Sequence, residues 1–116
     1  MDASLKYYVD GLGCRRTNQW IVDGKIRWCW LEFGNASLML QELNEKKVFS
    51  DGVSVCFQCQ DAIALYKEFT SRGIKATKPV VGNFQWEVFL EDPDGHRLAF
   101  GSPTDLPEET EWDGQA

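Results

Sequence analysis

The chain has 116 residues, 43% hydrophobic and 26% charged, with 18 acidic side chains against 12 Lys and Arg and a net charge of −6. That length suits one domain able to bury roughly two-thirds of its unfolded surface without disulfide or metal staples. The acidic balance excludes nucleic acid as an expected partner, because phosphate backbones demand clustered Lys and Arg. No apolar run approaches the ~20 residues of a membrane span, and Asp2 and Lys6 flank only a short amphipathic stretch where a signal peptide would stand. The expectation is a soluble cytoplasmic protein.

Two segments carry helical periodicity. In the first, from Asp2 to about Leu12, the residues Leu5, Tyr8, Val9 and Leu12 recur at i, i+3, i+4, i+7. In the second, from Asp61 to about Arg72, Ala62, Leu65, Tyr66 and Phe69 do the same. Asp2 and Asp61 are predicted N-caps, and Gly13 and Gly73 are predicted C-terminal stops that need φ > 0. Strands are predicted at 15–22, 25–33 and 36–42, with Asp23-Gly24 and Gly34-Asn35 as two-residue hairpin turns. A further strand, 53–59, precedes the second helix. A weak strand near 75–78 and strands at 86–91 and 96–101 follow it, the last two joined by Asp92-Pro93-Asp94-Gly95. Leu43–Gly52 reads as a polar connector.

Both helices open Asp-Ala, close on Gly after nearly equal lengths, and lead into strands. This is an internal repeat. It predicts one α+β domain over 1–102, made of a module at 2–43 and a module at 53–102, with an acidic, solvated tail at 103–116 in which Trp112 is a possible anchor. The second helix is preceded by a strand and the first is not, so the first module is expected to lack its opening strand. Truncation or a partner chain would account for the gap, and an unfilled sheet edge would be a liability.

The cysteines are Cys14, Cys29, Cys56 and Cys59. Cys56 and Cys59 have C-x-x-C spacing, but they fall in an alternating, strand-like run. Residues three apart on a strand face opposite ways, which opposes a shared zinc or a disulfide. Core thiols are expected.

The hairpin turns fix which side chains share a face. Across Gly34-Asn35, Trp30 should oppose Met39, Trp28 should oppose Gln41, and Glu32 should oppose Ser37. Across Asp23-Gly24, Gln19 should oppose Trp28 and Thr17 should oppose Trp30. One face then carries Thr17, Gln19, Trp28, Trp30, Glu32, Ser37, Met39 and Gln41. The other carries Cys29, Leu31, Phe33, Leu38 and Leu40 and should pack on the helix. In the second module Val53, Val55, Phe57 and Cys59 should face the helix, leaving Ser54, Cys56 and Gln58 on the other side. Aromatic walls with a few polar groups are the usual make-up of a small-molecule pocket. The competing readings of such a face are a dimer interface or a surface that is simply half-exposed.

Three runs, Asp2-Ala3-Ser4-Leu5-Lys6-Tyr7-Tyr8, Ala36-Ser37-Leu38-Met39-Leu40-Gln41-Glu42 and Asp92-Pro93-Asp94-Gly95-His96-Arg97-Leu98, resemble the vicinal oxygen chelate superfamily. That superfamily includes glyoxalase I, fosfomycin- and bleomycin-resistance proteins and extradiol dioxygenases. The resemblance implies paired βαβββ modules around a shared cavity. Around the Asp92–Gly95 turn Arg97 should oppose Leu90 and Ala99 should oppose Val88, with Trp86 on the same side, and the resemblance places that side towards the cavity. It also implies four metal-ligand positions. The first would precede Met1, and the other three fall at Met39, Ser54 and Ala99. None of these is a His or a carboxylate, so no metal or other cofactor is expected. His96, the only histidine, is expected in the turn, pointing away from Arg97 and Ala99.

The chain therefore resembles the metal-free, drug-binding branch. The resemblance implies a homodimer that sequesters a flat aromatic or cationic small molecule. Trp28, Trp30 and Trp86 would stack on it. Gln19, Glu32, Gln41, Gln58 and Arg97 would make polar contacts, and Met39 and Ser54 would line the site. One alternative is a metal-dependent lyase, isomerase or dioxygenase built around Glu32. Another is a dimerising module with no specific ligand. Gly11-Leu12-Gly13 lacks the setting of a dinucleotide loop, and the lone histidine gives no nucleophile–base pair.

Overall fold

The structure, a computed structural model, describes residues 1–42 and 53–114, which fall in two units, Met1–Phe49 and Ser50–Ala116. The connector predicted at 43–52 lies outside the described residues.

The first unit opens with α1 (Asp2–Leu5), which continues as a π-helix over Lys6–Gly11. The wider winding shows in the Leu12 N–H, which donates to the Tyr7 carbonyl five residues back at 2.9 Å. Ser4, Tyr8, Gly11 and Leu12 are buried, so the inward stripe runs mainly at a spacing of four. Asp2 is the first helical residue and not the cap. Met1 stands at the cap position, and no side chain caps this end. Gly13 takes the predicted positive φ, 87°.

Three antiparallel strands follow, β1 (Arg15–Val22), β2 (Lys25–Phe33) and β3 (Ala36–Gln41), in the order β1-β2-β3. The turn residues Asp23 and Gly24 both have positive φ, 51° and 76°, the conformation that suits a tight hairpin between right-twisted strands. Gly34, with φ 58°, supplies the first position of the other turn. The β2–β3 register is as predicted, with Trp28↔Gln41, Trp30↔Met39 and Glu32↔Ser37. The β1–β2 register is not. It shifts between Trp20 and Ile21 and again between Arg16 and Asn18, so Trp20 pairs with Trp28, Gln19 with Cys29 and Asn18 with Trp30. Each bulge adds one residue to one strand and turns the following side chains to the other face.

The second unit contains β4 (Ser54–Gln58), α2 (Ala62–Ser71), β5 (Val80–Gly82), β6 (Gln85–Glu91) and β7 (Arg97–Pro103). Its sheet runs β4-β7-β6-β5, with β4 parallel to β7 and the other pairs antiparallel. The start of α2 is capped twice. Asp61 Oδ1 accepts the Ala64 N–H at 3.0 Å, and Ser102 Oγ accepts the Ala62 N–H at 2.9 Å. Phe69 on α2 meets Phe100 edge-on at 5.2 Å, and Phe100 stacks on Phe57 at 5.0 Å. With Val88, Leu90 and Leu98 these rings form the core between helix and sheet.

Two elements differ from expectation. The strand expected at 75–78 lies instead at Val80–Gly82, next to an unanticipated turn at Asn83 and Phe84, whose φ values are 52° and 64°. Thr77 still lies along β6, donating its N–H to the Phe89 carbonyl and accepting the Phe89 N–H on Oγ1. Residues 104–112, expected as a solvated tail, run back along the outer edge of β5. There the Val81 N–H donates to the Thr110 carbonyl, the Trp112 N–H donates to the Pro79 carbonyl, and Val80 bridges Glu111. Trp112 is the anchor, edge-on to Tyr66 at 5.6 Å with the Lys67 ammonium over its ring. The strap covers a sheet edge that would otherwise expose unpaired backbone groups.

The described residues thus give an α+β architecture, a helix with three strands in the first unit and a βαβββ unit in the second. A counterpart of β4 is not among the described residues of the first unit.

Candidate functional site

In the first unit, Cys29 and Leu31 are fully buried, 0% exposed, which makes their side of β2 the core side. Alternation then puts Trp28, Trp30 and Glu32 on the opposite face, joined through the β3 register by Ser37, Met39 and Gln41. Five of the expected residues, Trp28, Trp30, Glu32, Met39 and Gln41, therefore do share one face. Gln19 does not share it. The bulges pair it with Cys29, and Trp20 takes the place expected for it beside Trp28. Thr17 falls in the irregularity between Arg16 and Asn18 and has no strand partner. Trp20 is 60% exposed and Met39 58% exposed, beside the half-buried Trp28 and Trp30. Exposed large apolar side chains grouped on one face make it a candidate contact or ligand surface. Glu32 is not a free carboxylate, because Arg15 lies opposite it and its guanidinium donates to Oε1 at 2.8 Å.

In the second unit the helix side is fixed by Phe100 and Ser102, which contact α2. Ser54, Cys56 and Gln58 pair in parallel with Arg97, Ala99 and Gly101 on the face away from α2. Ser54, Gln58 and Arg97 are thus brought together as expected. Trp86 is not with them. It pairs with Ser102 and Val81 on the helix side. The expected register set Arg97 opposite Leu90 and Ala99 opposite Val88. The observed partners are Glu91 and Phe89. The cause is the turn, closed by the Asp92 N–H donating to the His96 carbonyl at 2.9 Å. Gly95 sits at φ 88°, which makes a three-residue loop with a left-handed last residue where a shorter connection was expected. One extra residue turned the β6 side chains over, so Gln85, Glu87, Phe89 and Glu91 replace Trp86, Val88 and Leu90 on this face. Glu87 lies beside Gly82, where any Cβ would strike its carboxylate. Burial first, then Glu108, holds its carboxyl above the usual range.

Metal-binding residues fit this chain poorly. Met39, Ser54 and Ala99, the positions matching the superfamily ligands, offer a thioether, a hydroxyl and a methyl group, whereas mononuclear sites need several imidazole, thiolate or carboxylate donors. Asp92, Asp94 and His96 bring ligand-type atoms within 4.8 Å of one another. However, Asp92 Oδ1 accepts the N–H groups of both Asp94 and His96, at 3.0 and 2.8 Å, the arrangement of an Asx-type turn. All four cysteines are free. Cys59 donates to the Gly101 carbonyl at 3.4 Å, and burial pushes the Cys14 thiol up to about 11.

These modules are those of a known family, and residues 1–100 match the model of the glyoxalase/bleomycin resistance protein/dioxygenase superfamily. The chain belongs to that superfamily. Among solved structures it is similar to TnmS3, an antibiotic-binding protein from Streptomyces sp. CB03234, with TM-score 0.74 and 17% identity over 89% of this chain and 86% of that one. It is also similar to a bleomycin-binding protein solved with bleomycin, with TM-score 0.73 and 19% identity over 90% of each chain. A third is a glyoxalase/bleomycin resistance protein/dioxygenase from Alicyclobacillus acidocaldarius, with TM-score 0.68 and 22% identity over 90% of this chain and 84% of that one. No curated protein sequence matched. No helix among the described residues is long and apolar enough to cross a membrane.

Proposed function

We propose that this chain is a non-catalytic binding protein that sequesters a flat aromatic or cationic small molecule, working as a cytoplasmic homodimer. The carrying observation is the face of the first unit on which Trp20, Trp28, Trp30 and Met39 stand together on the side opposite the core. Tryptophan faces attract planar rings by offset stacking and cations through the ring quadrupole. The net charge of −6 favours cationic ligands at long range. Similarity to an antibiotic-binding protein and to a bleomycin-binding protein supports the same reading. A metal-dependent reaction finds no donor set at Met39, Ser54 and Ala99.

The test is a titration with bleomycin and with a panel of planar cationic and neutral dyes, followed by tryptophan fluorescence. Saturable quenching is expected for at least one compound. Trp28→Ala and Trp30→Ala should each weaken that binding by about 1–2 kcal/mol while the variants stay folded. Unchanged affinity in both variants would remove this face from the site. Close to one equivalent of a transition metal in protein purified without added metal would instead favour an enzyme.

A further inference from the structure

The second unit carries a cleft of about 570 Å³ lined by Lys75, Ala76, Thr77, Phe89, Leu90, Glu91, Asp92 and Arg97. That volume lies within the roughly 300–1,000 Å³ of small-molecule sites. Phe89 and Arg97 stand on the sheet face away from α2, the face shared by Ser54 and Gln58. Phe89 is 47% exposed, an aromatic ring left open at the cleft. The opposite wall is pinned, since Thr77 is tied to the Phe89 backbone through both its N–H and its Oγ1.

The charges in the cleft are unequally engaged. Arg15, Arg27 and Arg72 each have a carboxylate partner, whereas among the described residues the side chains of Arg97 and Lys75 make no hydrogen bond or ion pair. The two acids of the cleft are turned to other tasks. Asp92 is buried, and its Oδ1 holds the turn through two backbone N–H groups. Glu91 leans towards the turn, its Oε1 3.5 Å from where a Cβ on Gly95 would stand. We propose that this cleft binds the carboxylate of an aromatic acid, with Arg97 and Lys75 pairing with the anion and Phe89 lying against the ring. A guanidinium offers a planar pair of N–H groups matched to a carboxylate. The acidic balance of the whole chain does not forbid this, because exposed charges more than about 8–10 Å away are largely screened at physiological salt. The proposal rests on the reading that the chain binds a flat aromatic molecule, and adds the acidic substituent and its place.

The test uses the full chain labelled with 15N and titrated with 2-naphthoate. The neutral 2-naphthalenemethanol and the cationic 2-naphthylmethylammonium serve as matched probes. Naphthoate should shift the amide signals of Thr77, Phe89 and Arg97 saturably and bind more tightly there than either analogue. Arg97→Gln and Lys75→Gln, both at exposed positions, should each weaken naphthoate by roughly tenfold or more. Unchanged naphthoate affinity in Arg97→Gln, or tighter binding of the cationic probe at these amides, would overturn the assignment. If an analogue saturates the indole N–H signals of Trp28 and Trp30 while naphthoate leaves the cleft unmoved, the cleft proposal falls and the aromatic-ligand reading stands. If no probe moves either set, both fall.

Discussion

Replacing Asp92 by Ala removes the acceptor that holds the β6–β7 turn and, with it, the register that decides which side chains line the second unit's open face. Asp92 is 5% exposed, and its Oδ1 accepts two backbone N–H groups at 3.0 and 2.8 Å. Hydrogen bonds to a charged acceptor contribute about 1.5–3 kcal/mol each. The donors belong to Asp94 and His96, which are exposed, so water recovers part of the loss. The expected cost is about 2–3 kcal/mol, or a fall in Tm of about 10 °C for a chain of this size. Asp92→Asn keeps an oxygen in place and should cost about 1 kcal/mol. Asp94→Ala and His96→Ala should each stay within about 1 kcal/mol, because the main-chain N–H, not the side chain, makes the bond. Thermal and urea unfolding followed by tryptophan fluorescence reads all four variants. A loss below about 1 kcal/mol in Asp92→Ala would refute the turn argument. Equal losses in Asp92→Ala, Asp94→Ala and His96→Ala, together with destabilisation by a chelator, would show that the three side chains act as a metal cluster instead.

Burial raises the Cys14 thiol from its ordinary 9.0 to about 11, so between those values the folded chain holds a proton that the unfolded chain releases. Stability should therefore be intact below pH 9 and fall as pH rises towards 11, with this residue's share approaching about 1.4 kcal/mol per pH unit. The slope should flatten in Cys14→Ala when the two proteins are unfolded in urea across that range. Glu87 has its carboxyl raised by burial and then by Glu108, so ionisation works against the fold as pH rises. Glu87→Gln should raise Tm at pH 7, and the advantage should shrink as pH falls towards 4.5 and be gone below it. Trp112→Ala removes the ring that meets Tyr66 and Lys67. It should cost about 2 kcal/mol and speed hydrogen exchange at the Val81 and Trp112 amides ahead of the core.

Tight turns made much of the fold legible in the sequence. Asp23-Gly24 and Gly34-Asn35 name their own geometry, so β2 against β3 could be paired residue by residue, and Trp28, Trp30, Glu32, Met39 and Gln41 followed onto one face. The C-terminal ends of both helices were legible from Gly13 and Gly73. The winding of the first helix was not, because a π-helix uses the same apolar residues as an α-helix and differs only in which carbonyl each N–H reaches. The two bulges left no sequence signal either. Arg27 on β2 and Thr17 on β1, the residues the pairing skips, are both compatible with a strand, and nothing in their chemistry marks them as displaced. The Asn83-Phe84 turn was hidden because phenylalanine is a poor candidate for positive φ.

The error at Asp92–His96 is the most informative, because its signal was present. Asp-Pro-Asp-Gly fits a type I turn ending in a left-handed glycine, and such a turn closes a three-residue loop, not a two-residue one. Reading Gly95 that way sets Arg97 opposite Glu91 and sends Trp86 to the helix side. Resemblance alone could not make the correction. It placed Arg97 and Ala99 on the right face through their own strand, but said nothing about which β6 residues oppose them. The consequence is chemical. The open face of the second unit exchanges a tryptophan and two aliphatic side chains for Gln85, Glu87, Phe89 and Glu91, and so becomes polar with a single aromatic ring. The exposed and half-exposed indole rings of Trp20, Trp28 and Trp30 therefore stand on the first unit, while the open face of the second unit offers one aromatic ring among polar side chains.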